Sequence, residues 1–284
     1  MPELPEVETM RRGLEESLRG ARVISVRLHH RDILLDGGSP GRFAAGLSGR
    51  RIDAIRRRGK NILFRLSNGD RAVLQTQVRM TGRFAVAEAG DPDGRRLRRE
   101  IGYTHVAAEF ALADGRTLLY DDVRRLGGFR LQSADEWARR EARLGSEPLA
   151  DGYRAADLAA DLGDGRAPVK NALLDQSRIA GVGNIYASEA LFRARVDPRR
   201  PCGELTGEEH RRLHRALRAV LREALAAEGT SLRDFKAVNG RSGEFQERLR
   251  AYGREGIPCG RCGTPILRIA QAGRSTFFCP SCQP

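Results

Sequence analysis

Met1-Pro2-Glu3-Leu4-Pro5-Glu6-Val7-Glu8 opens the chain, and the reading of the whole molecule turns on it. Pro5 suits the first position of a helix, where its missing N–H costs nothing. Glu6 and Glu8 suit the positive end of the helix dipole. Val7, Met10, Leu14 and Leu18 recur at helical spacing, and Gly20 stops the run. The spacing predicts a helix over residues 5–18, with Pro2 and Glu3 just ahead of its N-terminus. Once Met1 is removed, the Pro2 nitrogen is a secondary amine. An α-amino group titrates at roughly 7.7–8, so a useful fraction is neutral near pH 7. The helix end disfavours the protonated form further, and it can also receive a phosphate. A neutral amine attacks electrophilic carbon and forms an iminium, as Schiff-base lysines do. Glu3 stands beside it as a proton donor or acceptor. A Met-Pro start is ordinary by itself, so the rest of the chain decides its meaning.

The chain has 284 residues, enough for two domains with sizeable cores. Fifty Lys and Arg against 37 Asp and Glu give a formal charge of +13. Such a surplus calls for a polyanionic partner, most simply nucleic acid. No apolar run approaches the length of a membrane span, and the first residues are too polar and acidic for a signal peptide. A cytoplasmic, nucleoid-associated location and no membrane partner are the expectation.

From about 21 to 132 the pattern is short and strand-like. Residues 23–26, 62–66, 72–74, 105–110 and 117–120 are separated by Gly, Asn and Asp turns, which predicts a β-sandwich or barrel. Residues 87–100 read as a flexible basic loop. Helical patterns follow at 134–143, 153–162, 168–176, 186–194 and 207–227. Residues 229–250 return to Gly, Ser and Asn and read as a mobile loop. The expected organisation is a catalytic domain over 1–132, a linker over 133–151, a helical domain over 152–250 and a cysteine module over 251–284.

That module carries Cys259-x2-Cys262, sixteen residues, then Cys279-x2-Cys282. Two such knuckles present four thiolates to one tetrahedral zinc ion. Residues 265–269 and 273–278 read as a hairpin too small to bury a core, so the metal supplies its folding energy. Arg274 on this hairpin is placed to reach a phosphate. Cys202 has no partner in the pattern and reads as a plain thiol.

Together these features resemble the bacterial formamidopyrimidine-DNA glycosylases, a family that includes endonuclease VIII. The resemblance rests on PELPEVET (2–9), RRGKNILF (57–64), RMTGRF (79–84), DDVRRLGG (121–128), LGSEPL (144–149), LLDQSRIAGVGNIYASEALF (173–192), GTSLRDF (229–235), YGREGIPC (252–259) and GRSTFFCPSCQ (273–283). It implies an α+β fold: an N-terminal β-sandwich flanked by helices, a helix–two-turn–helix domain and a C-terminal zinc-finger β-hairpin holding one structural Zn2+. It implies a monomer that binds double-stranded DNA carrying oxidised bases or abasic sites in a basic cleft.

The resemblance also implies roles for single residues. Pro2 attacks the sugar C1′ of a damaged nucleotide, and β- and δ-eliminations then cut the strand. Glu3 is general acid and base, and Glu6 helps to position groups and shuttle protons. Lys60 contacts phosphate beside the lesion, and Arg274 grips flanking phosphates. Met80 fills the void left by the flipped nucleotide, Arg124 faces the orphaned base, and Leu126 stands where the family usually has phenylalanine. His105, Lys170 and Asn184 are implied as DNA contacts, the last beside the glycines of Gly181-Val182-Gly183. Residues 229–246 correspond to a loop over a flipped oxidised purine, with Arg233 at a position that is often lysine and Glu244 at one that is often aromatic. The alternatives are an endonuclease VIII-like enzyme for oxidised pyrimidines and a non-catalytic lesion or abasic-site binding protein.

Overall fold

A computed structural model of the chain describes residues 2–67, 72–91, 94–231, 238–240 and 242–284. The chain divides into two compact units, Met1–Glu141 with Glu228–Gly243, and Ala142–Ala227 with Glu244–Pro284. The expected 152–250 domain is therefore divided, since 228–243 groups with the N-terminal unit.

The first unit begins with helix α1 (Leu4–Leu18), and its elements follow as β1 (Val23–Leu28), α2 (Pro40–Leu47), β2 (Arg51–Arg58), β3 (Asn61–Ser67), β4 (Ala72–Gln77), β5 (Gly82–Ala87), α3 (Arg95–Ile101), β6 (Val106–Leu112), β7 (Thr117–Asp122), β8 (Gly128–Ser133) and α4 (Ala134–Glu141). Two four-stranded antiparallel sheets form, in the orders β1-β6-β7-β5 and β2-β3-β4-β8. This is the sandwich rather than the barrel. Val7, Met10, Leu14 and Leu18 are all buried and join the core, so the helical stripe read in the sequence faces the sheets. The aromatic centre is Tyr120 on Phe129, with ring centroids 4.8 Å apart, and Phe84 on Tyr120 at 5.0 Å. Edge-to-face and tilted pairs of this kind add about 0.5–1.5 kcal/mol each beyond their burial.

Three strands escape the sequence pattern. In β2, a bulge between Ile52 and Ala54 shifts the pairing, so Ile52 and Ile55 both point inward at a helical spacing of three. The loop expected over 87–100 is helical from Arg95. Asp91 accepts the N–H groups of Arg96 and Leu97 at 3.2 and 3.0 Å and so caps the first turn of α3. Gly94 and Gly102 bracket the helix with φ of +62° and +70°.

The second unit holds α5 (Ala155–Leu162), α6 (Val169–Leu174), α7 (Asn184–Ala194), α8 (Gly207–Ala226), β9 (Leu267–Gln271) and β10 (Arg274–Phe278). Helix α8 starts with a reciprocal cap: Glu209 N–H donates to Thr206 Oγ1 at 3.2 Å, and Thr206 N–H donates to Glu209 Oε2 at 2.8 Å. Helix α7 is enclosed, with every residue from Ile185 to Phe192 buried. Its Glu189 carboxylate, fully buried, accepts the N–H groups of Arg250, Ala251 and Tyr252 at 3.0, 2.8 and 2.9 Å. That bond set anchors the chain entering the cysteine module. Among the described residues no helix is long and apolar enough to cross a membrane.

Candidate active site

Pro2 is buried at the foot of α1. Glu3 is the residue before the first helical turn and is extended, with φ of −107° and ψ of −169°. Glu3 and Glu6 are each only 2% exposed. One oxygen of the Glu6 carboxylate accepts the Glu3 N–H at 2.8 Å. The other accepts the N–H of Thr230, also at 2.8 Å. Glu6 is thus both a helix first-turn acid and the tie that holds the start of the 229–246 segment. Gly229 is required there. Its φ is +91°, and a Cβ would lie 2.9 Å from Glu6 Oε1. Arg233 lies outside the described residues. Glu244 is exposed.

Glu8 joins α1 to the strand that leads to Lys60. Its carboxylate meets Arg11 at 2.9 Å and Arg57 at 3.3 Å. Burial alone would raise its pKa, but Arg11 first, and then Arg57 and Arg12, hold it below the ordinary glutamate value. Arg57 also donates to the Gly59 carbonyl at 3.1 Å. Gly59, with φ of +55°, and half-buried Lys60 form the two-residue turn into β3.

Met80, Arg124 and Leu126 sit on two adjoining loops at the ends of β4 and β7. Met80 and Leu126 are exposed apolar side chains at 39% and 48%. Arg124 Nη1 lies 3.3 Å from the Met80 sulfur. Asp122, 1% exposed, organises both loops. It accepts from the Thr81 hydroxyl and the Arg124 N–H on one oxygen, and from Gly127 N–H at 2.9 Å and Tyr120 Oη at 3.1 Å on the other. Its fully buried neighbour Asp121 accepts the His105 N–H at 2.6 Å and Arg83 Nε at 2.9 Å. That leaves the His105 ring exposed beside Thr104 Oγ1. Sequence reasoning assigned neither aspartate a role. Two consecutive acids ending a strand in a strongly basic chain were the available clue.

In the second unit Arg274 is exposed at the start of β10. The peptide that follows it is held from two sides. Lys170 Nζ donates to the Ser275 carbonyl at 3.0 Å and to Thr276 Oγ1 at 2.6 Å. Asn184 Nδ2 donates to the same carbonyl at 2.9 Å. Lys170 is fully buried, so its ammonium is used inside the protein and is not presented to a ligand as a surface DNA contact would be. Asn184 opens α7 after Gly183, whose missing side chain leaves the helix without a side-chain cap. Gly181, with φ of +91°, gives its N–H to Gln176 Oε1 at 2.9 Å.

The four cysteine sulfurs of Cys259, Cys262, Cys279 and Cys282 lie within 4.8 Å of one another, with Cys259–Cys282 at 3.9 Å and Cys262–Cys279 at 3.5 Å. Ligands at about 2.3 Å around a tetrahedral zinc ion stand about 3.8 Å apart, so the donor set fits zinc. Arg261, inside the first knuckle, stacks over Phe192 at 4.5 Å and donates to the Phe192 carbonyl at 2.8 Å, which docks the knuckle on the negative end of α7. Cys202 is buried, and burial raises its pKa.

Residues 1–129 match the formamidopyrimidine-DNA glycosylase N-terminal domain, residues 144–236 the helix–two-turn–helix (H2TH) domain of the same enzymes, and residues 256–284 a zinc finger found in FPG and IleRS. A formamidopyrimidine-DNA glycosylase of Heliobacterium modesticaldum is 44% identical over 286 residues, covering 100% of both chains. The Lactococcus lactis Fpg bound to DNA containing an abasic site is similar at a TM-score of 0.87 and 33% identity, over 99% of each chain. A mutant of the L. lactis enzyme bound to Fapy-dG-containing DNA reaches a TM-score of 0.88 at 33% identity, again over 99% of each chain. With three domain matches in order and full-length relatives above 40% identity, the chain belongs to the formamidopyrimidine-DNA glycosylase family.

Proposed function

We propose that this enzyme removes oxidised purines, 8-oxoguanine and formamidopyrimidines, from double-stranded DNA and then cuts the strand as an abasic-site lyase. The observation that carries the reading is the buried Pro2-Glu3 pair at the foot of α1, tied through Glu6 to Gly229-Thr230. With Met1 removed, the Pro2 nitrogen attacks C1′ of the damaged nucleotide. The bond from C1′ to the base breaks, and the base leaves with a proton. Glu3 protonates the ring oxygen, so the sugar opens to an iminium on Pro2. Loss of a C2′ proton expels the 3′ phosphate, a further elimination expels the 5′ phosphate, and water frees Pro2. Lys60 and Arg274 neutralise the phosphates around the reacting sugar. Met80, Arg124 and Leu126 fill the gap left by the everted nucleotide, whose extrusion costs a few kcal/mol. The four cysteines hold zinc, which supplies folding energy to the hairpin that carries Arg274.

The family resemblance and the DNA carried by the L. lactis relatives, abasic in one case and Fapy-dG in the other, support the substrate class. A wild-type L. lactis relative in complex with DNA containing an oxidised pyrimidine supports a second reading, with oxidised pyrimidines as substrates. Borohydride trapping on abasic DNA, after intact mass confirms that Met1 is absent, tests the lyase step. Pro2→Gly is expected to lose the covalent complex. Comparison of duplexes with 8-oxoguanine opposite C and thymine glycol opposite A tests the substrate. Activity on the second alone overturns the purine assignment, and no trapping on abasic DNA leaves a binding protein.

A further inference from the structure

The face of sheet β2-β3-β4-β8 turned away from the core carries a continuous row of side-chain amides. Arg140 of α4 donates Nε to Gln132 Oε1 at 2.9 Å. Gln132 on β8 donates Nε2 to Gln75 Oε1 on β4 at 3.1 Å, and Arg130 Nη1 approaches the same oxygen at 3.4 Å. Gln75 donates Nε2 to Asn61 Oδ1 on β3 at 2.8 Å, and Gln77 donates to that oxygen at 2.8 Å. Asn61 then donates Nδ2 to the backbone carbonyl of Arg58 at 3.0 Å. Asn61, Gln75 and Gln132 are 5%, 4% and 7% exposed. Each amide accepts on one side and donates on the other, so the orientation of one fixes the next.

A buried polar row of this length is not the simplest way to cover a sheet. Apolar residues of similar size serve a core as well or better, and a partly broken row is worse than none. Its terminus suggests its use. The Arg58 carbonyl is the last of β2, directly before Gly59 and Lys60. The Gly59 carbonyl is held by Arg57. The turn is therefore gripped at two successive carbonyls, one by a guanidinium and one by Asn61.

We propose that Asn61 is a positioning residue for Lys60: the amide row, acting through the Arg58 carbonyl, sets the turn from which the lysine ammonium reaches the substrate phosphate. The inference rests on the reading that Lys60 acts in the reaction. It predicts that the far members matter through Asn61, so that Gln75→Leu and Asn61→Leu have similar, non-additive effects.

The test is single-turnover excision by full-length, zinc-loaded enzyme, with the active fraction counted by borohydride trapping. It is run beside the Kd for a duplex carrying an uncleavable abasic analogue. Asn61→Leu is expected to slow excision about tenfold or more, as small misplacements of a catalytic group do, with Kd little changed. Asn61→Asp keeps the acceptor for Gln75 and Gln77 but cannot donate to the Arg58 carbonyl, and is expected to slow excision similarly. In a Lys60→Ala background Asn61→Leu is expected to add nothing. A merely structural role would lower the active fraction and the melting temperature but leave the rate per active molecule intact. If Lys60→Ala is slow while Asn61→Leu and Gln75→Leu, both folded, keep the wild-type rate, the positioning role is overturned and the Lys60 reading stands. Slowing by Asn61→Leu that multiplies with Lys60→Ala also overturns it. A Lys60→Ala enzyme with full activity removes the Lys60 reading and this inference together.

Discussion

Asp122→Asn isolates the part of the site proposed to fill the DNA gap from the part proposed to do the chemistry. The Asp122 carboxylate is buried, and each oxygen takes two donors: Thr81 Oγ1 and Arg124 N–H on one, Gly127 N–H and Tyr120 Oη on the other. Asparagine turns one oxygen into an NH2 group. The hydroxyl on that side rotates to accept from it, while the backbone N–H loses its carboxylate acceptor, outright at Gly127 but at Arg124 with the Thr81 hydroxyl still 3.1 Å away. One hydrogen bond to a charged group, worth about 1.5–3 kcal/mol, is lost, and those on the remaining oxygen fall toward the roughly twofold weaker neutral strength. The expected loss of stability is about 2–4 kcal/mol, readable as a lower denaturation midpoint in guanidinium. The functional signature is asymmetric. The loops carrying Met80, Arg124 and Leu126 lose their common fastening, while Pro2, Glu3, Glu6 and Lys60 keep theirs. Excision from an 8-oxoguanine duplex, which needs base eversion, is expected to fall about tenfold more than cleavage at a preformed abasic site, where no base has to be lifted from the stack. Single-turnover rates on the two substrates give the ratio. Equal losses on both, or an unchanged denaturation midpoint, would refute the role given to Asp122.

Three further substitutions read charge. Arg274→Ala is expected to reduce the slope of log K against log salt for DNA binding by about one, the mark of a phosphate contact, whereas Lys170→Met, which removes a buried ammonium, is expected to leave that slope unchanged while lowering the melting temperature. Glu8 has a folded-state pKa held below its ordinary value of 4.5, so its contribution to stability is fully present above about pH 4.5 and is lost as pH falls through the depressed value. Glu8→Gln is therefore expected to be less stable than the wild type at pH 7, with the gap closing on acidification in pH-dependent denaturation curves.

What the sequence disclosed and what it withheld divide along the range of the interaction. Helix α1, the other long helices and the zinc knuckles are set by neighbours within a few positions, and their spacing can be read directly. Strand β2 resisted because its bulge breaks the alternation that would have marked it. The site divides in the same way. Pro2, Glu3 and the cysteines announce themselves through local motifs. Glu6 was legible as a first-turn acid, but its second oxygen holds an N–H 224 positions away, and no local pattern encodes that. Asp122 and the Asn61-Gln75-Gln132 row depend on which residues the strand register brings side by side. Lys170 shows the direction in which such reasoning errs. The resemblance implies Lys170 as a DNA contact, one more cation in a chain of net charge +13. Its burial is a property of its neighbours, and those lie on the zinc hairpin, 105 and 106 positions further along. A buried ammonium there costs too much to keep unless it is matched by acceptors. The Ser275 carbonyl and the Thr276 hydroxyl supply them at the residues directly after Arg274. The lysine thus holds in place the strand from which exposed Arg274 projects, and through the phosphate role proposed for Arg274 it bears on DNA binding indirectly.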